Sequence, residues 1–316
     1  MIKEIQHKIR NIDARLSEFE GLSENDKQIE RYSLLKEKDA LLRSCKHLPP
    51  EDRVYLARLK GRPGITDYID ALFTDFFPQR GDRYQNEDPA ILGGIALYKG
   101  TPVTVLGNRK GKNLDESKLC NFGMASPQGY RKAQRIMKQA EKFGRPIITF
   151  VDTSGAYPGK NAEETGQGEA IASSLSLMSS LTVPVISIIT GEGGSGGALA
   201  LAMGNKVMML ENAVYSILSP EGFSSILWKD PARADEACRI IKLTAEELLS
   251  LKVIDKLIPE PPGGAHRDHT ITFSAVDAAI SNSLREMKKI SDYASHRYKK
   301  FRNMVKDFIT SYRTEE

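Results

Sequence analysis

Apolar residues fall at Ile2, Ile5, Ile9, Ile12, Leu16 and Phe19, steps of three and four that lay a single stripe along a helix. The run Gly21-Leu22-Ser23-Glu24-Asn25 breaks that pattern. Tyr32, Leu35 and Leu42 then predict a second helix, ending before Pro49-Pro50. Residues 1–48 therefore read as a helical hairpin arm. A pair of helices this short cannot hide its own apolar face, so the stripe must pack on the core or on another subunit. We expect it to serve assembly.

Beyond a polar linker at Arg62-Pro63-Gly64 the rhythm changes to short apolar strands separated by glycine turns and helices. Residues 91–99 and 102–106 flank Gly100-Thr101 as a hairpin. Ser126 as N-cap, Pro127 as first helical residue and Gly144 as terminator bracket a helix with Ala133, Ile136, Met137 and Ala140 on one face. Residues 146–152 form a strand with little alternation, as when both faces are covered. A glycine turn follows, then a helix from about Ala162 that carries Ile171, Leu175, Met178 and Leu181 inward. The unit repeats with a strand at 183–190, a second glycine turn, a short helix at 198–203 and a strand at 206–210. Successive strand–turn–helix units imply parallel strands with right-handed crossovers, and both glycine turns then lie at the strand carboxyl ends, where ligands bind. Pro261-Pro262-Gly263-Gly264 closes a core spanning residues 65–262. Residues 263–316 are mostly helix, through Ala275, Ile280, Leu284 and Met287.

A chain of 316 residues with 40% apolar content buries a substantial core. No run of about 18 apolar residues occurs and the amphipathic N-terminus is unlike a signal peptide, so the expected compartment is the cytoplasm, with no membrane partner. Cys45, Cys120 and Cys238 form no paired motif and read as ordinary thiols. A net charge of +4 does not by itself imply nucleic acid. The segment from Arg285 to Glu316 holds nine Lys or Arg against five Asp or Glu, and reads as a solvated helix face in preference to a polyanion site. Arg109, Lys110 and Lys112 leave the strand at 102–106 as either an exposed loop or a phosphate contact.

The candidate chemistry sits in the two turns, Thr153-Ser154-Gly155-Ala156-Tyr157-Pro158-Gly159 and Gly191-Glu192-Gly193-Gly194-Ser195-Gly196-Gly197. Glycine-lined backbone at the start of a helix offers unpaired N–H donors and room for a ligand to approach. Gly191, Gly193 and Gly196 spell G-x-G-x-x-G, with Glu211 twenty residues beyond the first of them. The short helix behind them and the mid-chain position of the unit weigh against a dinucleotide site without closing that reading, and no Gly-Lys-Ser/Thr makes a Walker loop. Ser195 suggests a nucleophile, and a crotonase-like serine peptidase is the alternative reading. His7, His47, His266, His269 and His296 lie outside the strand-rich segment, although a Ser-Lys dyad with Lys160 or Lys206 stays open. No metal-ligand pattern occurs. A site equipped mainly with backbone N–H groups suits stabilisation of an oxyanion.

Phe150-Val151-Asp152-Thr153-Ser154-Gly155-Ala156-Tyr157-Pro158-Gly159, the run from Gly191 to Ala198, and Ser219-Pro220-Glu221-Gly222 with Ile226-Leu227-Trp228 closely resemble the alpha-subunit family of bacterial acetyl-CoA carboxylase carboxyltransferases. The likeness extends to Asn121-Phe122-Gly123-Met124, to Gly263-Gly264-Ala265-His266 and to the arm. Ser154 stands where some relatives carry proline. The resemblance implies an α/β, crotonase-like spiral of ββα units. It also implies active sites shared with a beta subunit in a two-alpha, two-beta heterotetramer. Gly196 and Gly197 match the pair whose amides hold an oxyanion, that of the carboxybiotin ureido group, and Gly155, Ala156, Tyr157, Gly193 and Gly194 are the implied substrate-binding residues. The beta subunit would supply the second oxyanion hole, much of the coenzyme A site and a zinc ribbon. Biotin, brought by the biotin carboxyl carrier protein and charged by biotin carboxylase, would deliver CO2 to the methyl carbon of acetyl-CoA, giving malonyl-CoA for fatty acid synthesis. On this reading Gly197→Val abolishes transfer and leaves the complex assembled.

Overall fold

A computed structural model describes residues 1–19, 28–84 and 86–304. The expected break at residues 21–25 and the last part of the basic tail lie outside them. Among the described residues eight strands form one mixed sheet: β1 Thr74–Pro78, β2 Ile91–Tyr98, β3 Thr101–Asn108, β4 Ile147–Thr153, β5 Val185–Gly194, β6 Lys206–Leu210, β7 Val214–Ser216 and β8 Lys256–Ile258. The order is β1-β2-β3-β4-β5-β6-β8, with β7 paired to β5. The first three strands are antiparallel neighbours, and from β3 through β8 the pairing is parallel. The hairpin turn is Lys99-Gly100, both at positive φ, because a two-residue turn of that kind matches the twist of its strands. The expected turn, Gly100-Thr101, lies one residue later along the chain.

β4 and the first half of β5 are buried on both faces, which explains their unbroken apolar character. Helix Pro127–Lys142 starts at Ser126 as expected, though the serine side chain makes no capping bond, and it ends at Gly144 with φ +65°. The expected helix from Ala162 is two helices, Lys160–Glu164 and Gln167–Ser180, divided at Gly166, whose φ is +88°. Ala170, Ser174, Met178 and Leu181 face inward, while Ile171 and Leu175 are only half-buried. Ala265, Val276, Ala279, Ile280 and Met287 join the same apolar core as the strands.

The arm packs part of its stripe on its own chain, one of the two placements its sequence allows. Helix Ile2–Ser17 buries Ile2, Ile5 and Ile9 against Cys45, Leu48 and Leu56 of its own chain, so these three are spent within the subunit. The Ile2 amide donates to Asp52 Oδ2 at 3.1 Å, Gln6 Nε2 to the Gly263 carbonyl at 2.9 Å, and Arg267 pairs with Asp13 at 3.1 Å. The second arm helix, Gln28–Arg43, forms as expected; Leu34 is buried, while Tyr32 and Leu35 are exposed.

Candidate active site

β5 corrects the reading of the second glycine segment. Gly191, Gly193 and Gly194 continue the strand: Gly193 pairs with Thr153 of β4 and Tyr215 of β7, and Gly194 with Ser216. The sheet divides here, since β6 follows the first half of β5 and β7 the last. The chain then pivots at Ser195, with φ +53°, into helix Ser195–Ala202. A left-handed backbone costs a residue with a Cβ about 1–2 kcal/mol.

Most of these glycines serve close approach of one backbone to another. A Cβ on Gly194 would stand 2.1 Å from the Ser154 carbonyl oxygen, and one on Gly197 would stand 2.5 Å from the carbonyl carbon of Gly155. A Cβ on Gly191 would meet the Asp152 carboxylate, and one on Gly193 the Tyr215 ring. The two segments are thus brought together backbone against backbone. Gly155 is needed for its φ of +153°. Gly196 differs, because a Cβ there would only touch Ile171 at an ordinary 3.4 Å. The amides of Ser195, Gly196 and Gly197 lie in a first helical turn, where no intrahelical acceptor exists.

The first turn is braced from below. Thr153 Oγ1 accepts the Gly155 amide at 3.1 Å and donates to the Gly155 carbonyl at 2.7 Å. The Tyr157 amide donates to the Ala125 carbonyl at 3.0 Å, and Gln167 Nε2 reaches both Ala125 and Tyr157 carbonyls. Ala156 and Tyr157 are thereby held half-buried beside Gly155.

Beside the turns, at the carboxyl ends of β3, β4 and β5, a cleft of about 560 Å3 is walled by Arg58–Gly64 segment residues, Asn108, Lys110, Asp152, Ser154, Glu192 and His269. Lys110 Nζ lies 2.7 Å from Asp152 and 3.0 Å from Glu192; Arg58 lies 2.7 Å from Glu192 and 2.6 Å from Glu221. Burial would raise the Glu192 pKa, but Lys110 and Arg58 outweigh it and hold the carboxyl below its usual range. Burial likewise works against charge on Lys110, and its two carboxylate partners raise its pKa all the same. Arg109 pairs with Glu116 and Lys112 with Asp67, so the basic loop forms a cleft wall with carboxylate partners from its own chain. Arg62, buried with Glu260 at 2.6 Å, also donates to the Thr190 carbonyl and anchors β5.

Sequence reasoning passed over Arg58, read Arg62 only as part of a polar linker although it is buried, and gave no role to Glu260, which lies in the family-like run Ile258-Pro259-Glu260-Pro261. It set His269 aside for its distance along the chain. His269 Nε2 donates to the Gly61 carbonyl at 2.9 Å at the cleft wall. The nucleophile readings weaken. Ser195 Oγ has no partner among the described residues, Lys160 pairs with Glu164, and Lys206, paired with Glu286, starts β6 at the opposite end of the parallel strands from Ser195. Cys45, Cys120 and Cys238 are buried and free. Among the described residues, no cluster of His, Cys, Asp and Glu could hold a metal, and no helix is long and apolar enough to cross a membrane.

A family model described as acetyl co-enzyme A carboxylase carboxyltransferase-like matches residues 1–305. A Bacillus velezensis protein named acetyl-coenzyme A carboxylase carboxyl transferase subunit alpha is 50% identical, over 96% of this chain and 93% of its own. A Clostridium acetobutylicum protein of the same name is 51% identical over 84% and 97%. Among solved structures, transcarboxylase 12S superposes with a TM-score of 0.59 at 17% identity, covering 78% of this chain and 44% of that one. A Pseudomonas malonate decarboxylase hetero-tetramer in complex with coenzyme A gives 0.57 at 14%, covering 72% and 90%. These likenesses establish the crotonase-like α/β fold of carboxyltransferases.

Proposed function

We propose how this chain works from one premise: it belongs to the family of acetyl-coenzyme A carboxylase carboxyltransferase alpha subunits. It is a carboxyl-transfer enzyme subunit acting on acetyl-CoA, in the reaction that gives malonyl-CoA for fatty acid synthesis. The serine-peptidase alternative has no support in these relatives.

The finer assignments are our own. Gly196 and Gly197 amides hold the oxyanion of the ureido group, with the Gly155-Ala156-Tyr157 turn and the Gly193-Gly194 strand end shaping the floor against which substrate lies. The observation that carries this is Gly196: nothing inside the chain requires a glycine there, whereas a ligand approaching its amide does. Carboxybiotin would supply the carboxyl group for transfer to the acetyl methyl carbon, and its freed ureido nitrogen would be the acceptor for the methyl proton. What this chain contributes is a rigid pair of donors, each contributing about 3 kcal/mol to charge stabilisation in the transition state. The partner is a beta subunit, in a two-alpha, two-beta assembly that completes the coenzyme A site and carries the zinc ribbon. The biotin carboxyl carrier protein and biotin carboxylase act before it, in the cytoplasm. The arm at 1–48, the core at 65–262 and the helical segment at 263–316 are its working parts.

Carboxyl transfer measured with alpha alone, beta alone and the two mixed tests this reading. Activity is expected only in the mixture. Full activity in either subunit alone, or none in the mixture, would overturn it.

A further inference from the structure

The pivot between β5 and helix Ser195–Ala202 inverts the usual placement of residues. Gly193, Gly194 and Gly197 are explained by close packing, yet none of them has a positive φ. The one left-handed position in the segment, where backbone sterics favour glycine, holds Ser195. Serine near a helix start ordinarily caps it from the N-cap position. Here the N-cap is Gly194, and Ser195 sits one residue inside, with its hydroxyl making no cap bond. The side chain is exposed and has no hydrogen-bond partner among the described residues. The strain of this position therefore brings no internal interaction in return, and strain of that kind collects at ligand sites. Its neighbour Gly196 is the glycine that internal packing does not require. Two adjacent residues thus have identities that the isolated subunit does not explain, and one ligand oxygen explains both.

We propose that Ser195 Oγ is a further catalytic hydrogen-bond donor, directed at the same oxyanion as the amides of Gly196 and Gly197. The inference rests on the carboxyl-transfer reading and deepens it. The left-handed pivot leaves the Ser195 side chain exposed in the first helical turn, the turn that also holds the Gly196 and Gly197 amides. Glycine at 195 would relax the backbone and lose the donor; alanine would keep the backbone cost and lose the donor. These two variants separate the hydroxyl from the conformation.

The test uses the mixed alpha and beta subunits, with thermal unfolding of each alpha variant as a control. Ser195→Gly and Ser195→Ala are both expected to lower kcat roughly a hundredfold, with KM for acetyl-CoA within about twofold, the signature of a contact made in the transition state. The unfolding temperature of Ser195→Gly is expected at or above that of the unsubstituted chain. Unchanged kcat in either variant would overturn the role of the hydroxyl, including the case in which only glycine is impaired, which would point to backbone rigidity. An inactive unsubstituted mixture would instead overturn the carboxyl-transfer reading and this inference with it.

Discussion

Asp152 Oδ1 accepts the backbone N–H of Glu192 at 2.9 Å, so one carboxylate ties the end of β4 to the glycine-rich end of β5. The same oxygen lies 2.7 Å from Lys110, which also neutralises Glu192. In Lys110→Met, Asp152 keeps its bond to the Glu192 amide but loses its counter-charge, and Glu192 retains only Arg58. Glu192 has a depressed folded pKa, so its stabilisation is present above the unfolded value and lost as pH falls through the folded one. Removing Lys110 raises that folded pKa. The acid unfolding midpoint of Lys110→Met, followed by circular dichroism against pH, is therefore expected to move upward, and an unchanged midpoint would show that the cluster is not coupled.

Gly196 and Gly197 are adjacent in sequence and opposite in structural demand. A Cβ at Gly197 would overlap the backbone of Gly155 and Ala156, at 2.5 and 2.6 Å, so any side chain must displace one glycine segment from the other. Gly197→Ala is expected to lower thermal stability as well as transfer, and Gly197→Val, expected from sequence to spare assembly, is a poor probe for that reason. Gly196→Ala is expected to unfold within a few degrees of the unsubstituted protein, because its Cβ meets only Ile171 at 3.4 Å. Its backbone N–H is retained, but the methyl group obstructs a ligand approaching that amide, so the transfer rate should fall, by about 10²-fold where the oxyanion is kept off the donor. Equal stability losses in the two variants would refute this distinction.

The motifs made legible that the two glycine segments meet at the ends of β4 and β5, where a cleft is lined by their neighbours Asp152, Ser154 and Glu192 and by none of the seven expected site residues. The role of each glycine was harder to read. A glycine run signals a turn when its residues need positive φ, and a strand when a second backbone presses on it; the sequence of Gly191 to Gly194 is compatible with both. Only the tertiary approach of Ser154 and Asp152 decides for the strand. β7 and β8 have three residues each, too short to show periodicity, and exist through their partners. In the arm, Leu34 and Leu35 offered equivalent apolar positions. Packing selected Leu34 and left Tyr32 and Leu35 exposed.

His266 gives the protein a pH dependence distinct from that of its carboxylates. Burial, reinforced by Arg267 and Arg62, lowers its pKa to about 4, with Glu260 opposing and His269 adding slightly to the shift. Its Nε2 lies 3.2 Å from Gln6 Oε1, linking the arm to the segment after Glu260. A histidine neutral in the folded state and protonated in the unfolded one makes stability rise with pH between those two pKa values. Stability is therefore expected to be complete above about pH 6.5 and to fall toward pH 4. His266→Gln should flatten this slope in denaturant unfolding series. A slope unchanged in the variant would assign the effect elsewhere.

Arg62 and Glu260 form a pair whose side chains are 3% and 0% exposed. Glu260 is further satisfied by Asn212 and the Ala265 amide, and Arg62 by the Thr190 carbonyl. Breaking such a pair leaves a buried charge without compensation, at a cost of about 3–5 kcal/mol. Glu260→Gln keeps the shape and removes the charge. It is expected to lower unfolding free energy on that scale and to weaken transfer, because Arg62 holds β5 one residue before Gly191. A loss below about 1 kcal/mol would mean that water or a shifted neighbour compensates the guanidinium.

The buried stripe of the arm bears on which of its two placements, own core or partner subunit, carries its stability. Ile9 is wholly buried against residues of its own subunit, so truncating it should destabilise the alpha chain in the absence of any partner. Ile9→Ala is expected to cost about 2–5 kcal/mol in denaturant unfolding of alpha alone, the range for a large-to-small change in a core. A stripe serving a subunit contact would instead leave the isolated chain unaffected and weaken association with its partner. Measuring unfolding of alpha alone beside the mass of the mixed complex separates the two, and an unaffected alpha chain would return the arm to an assembly role.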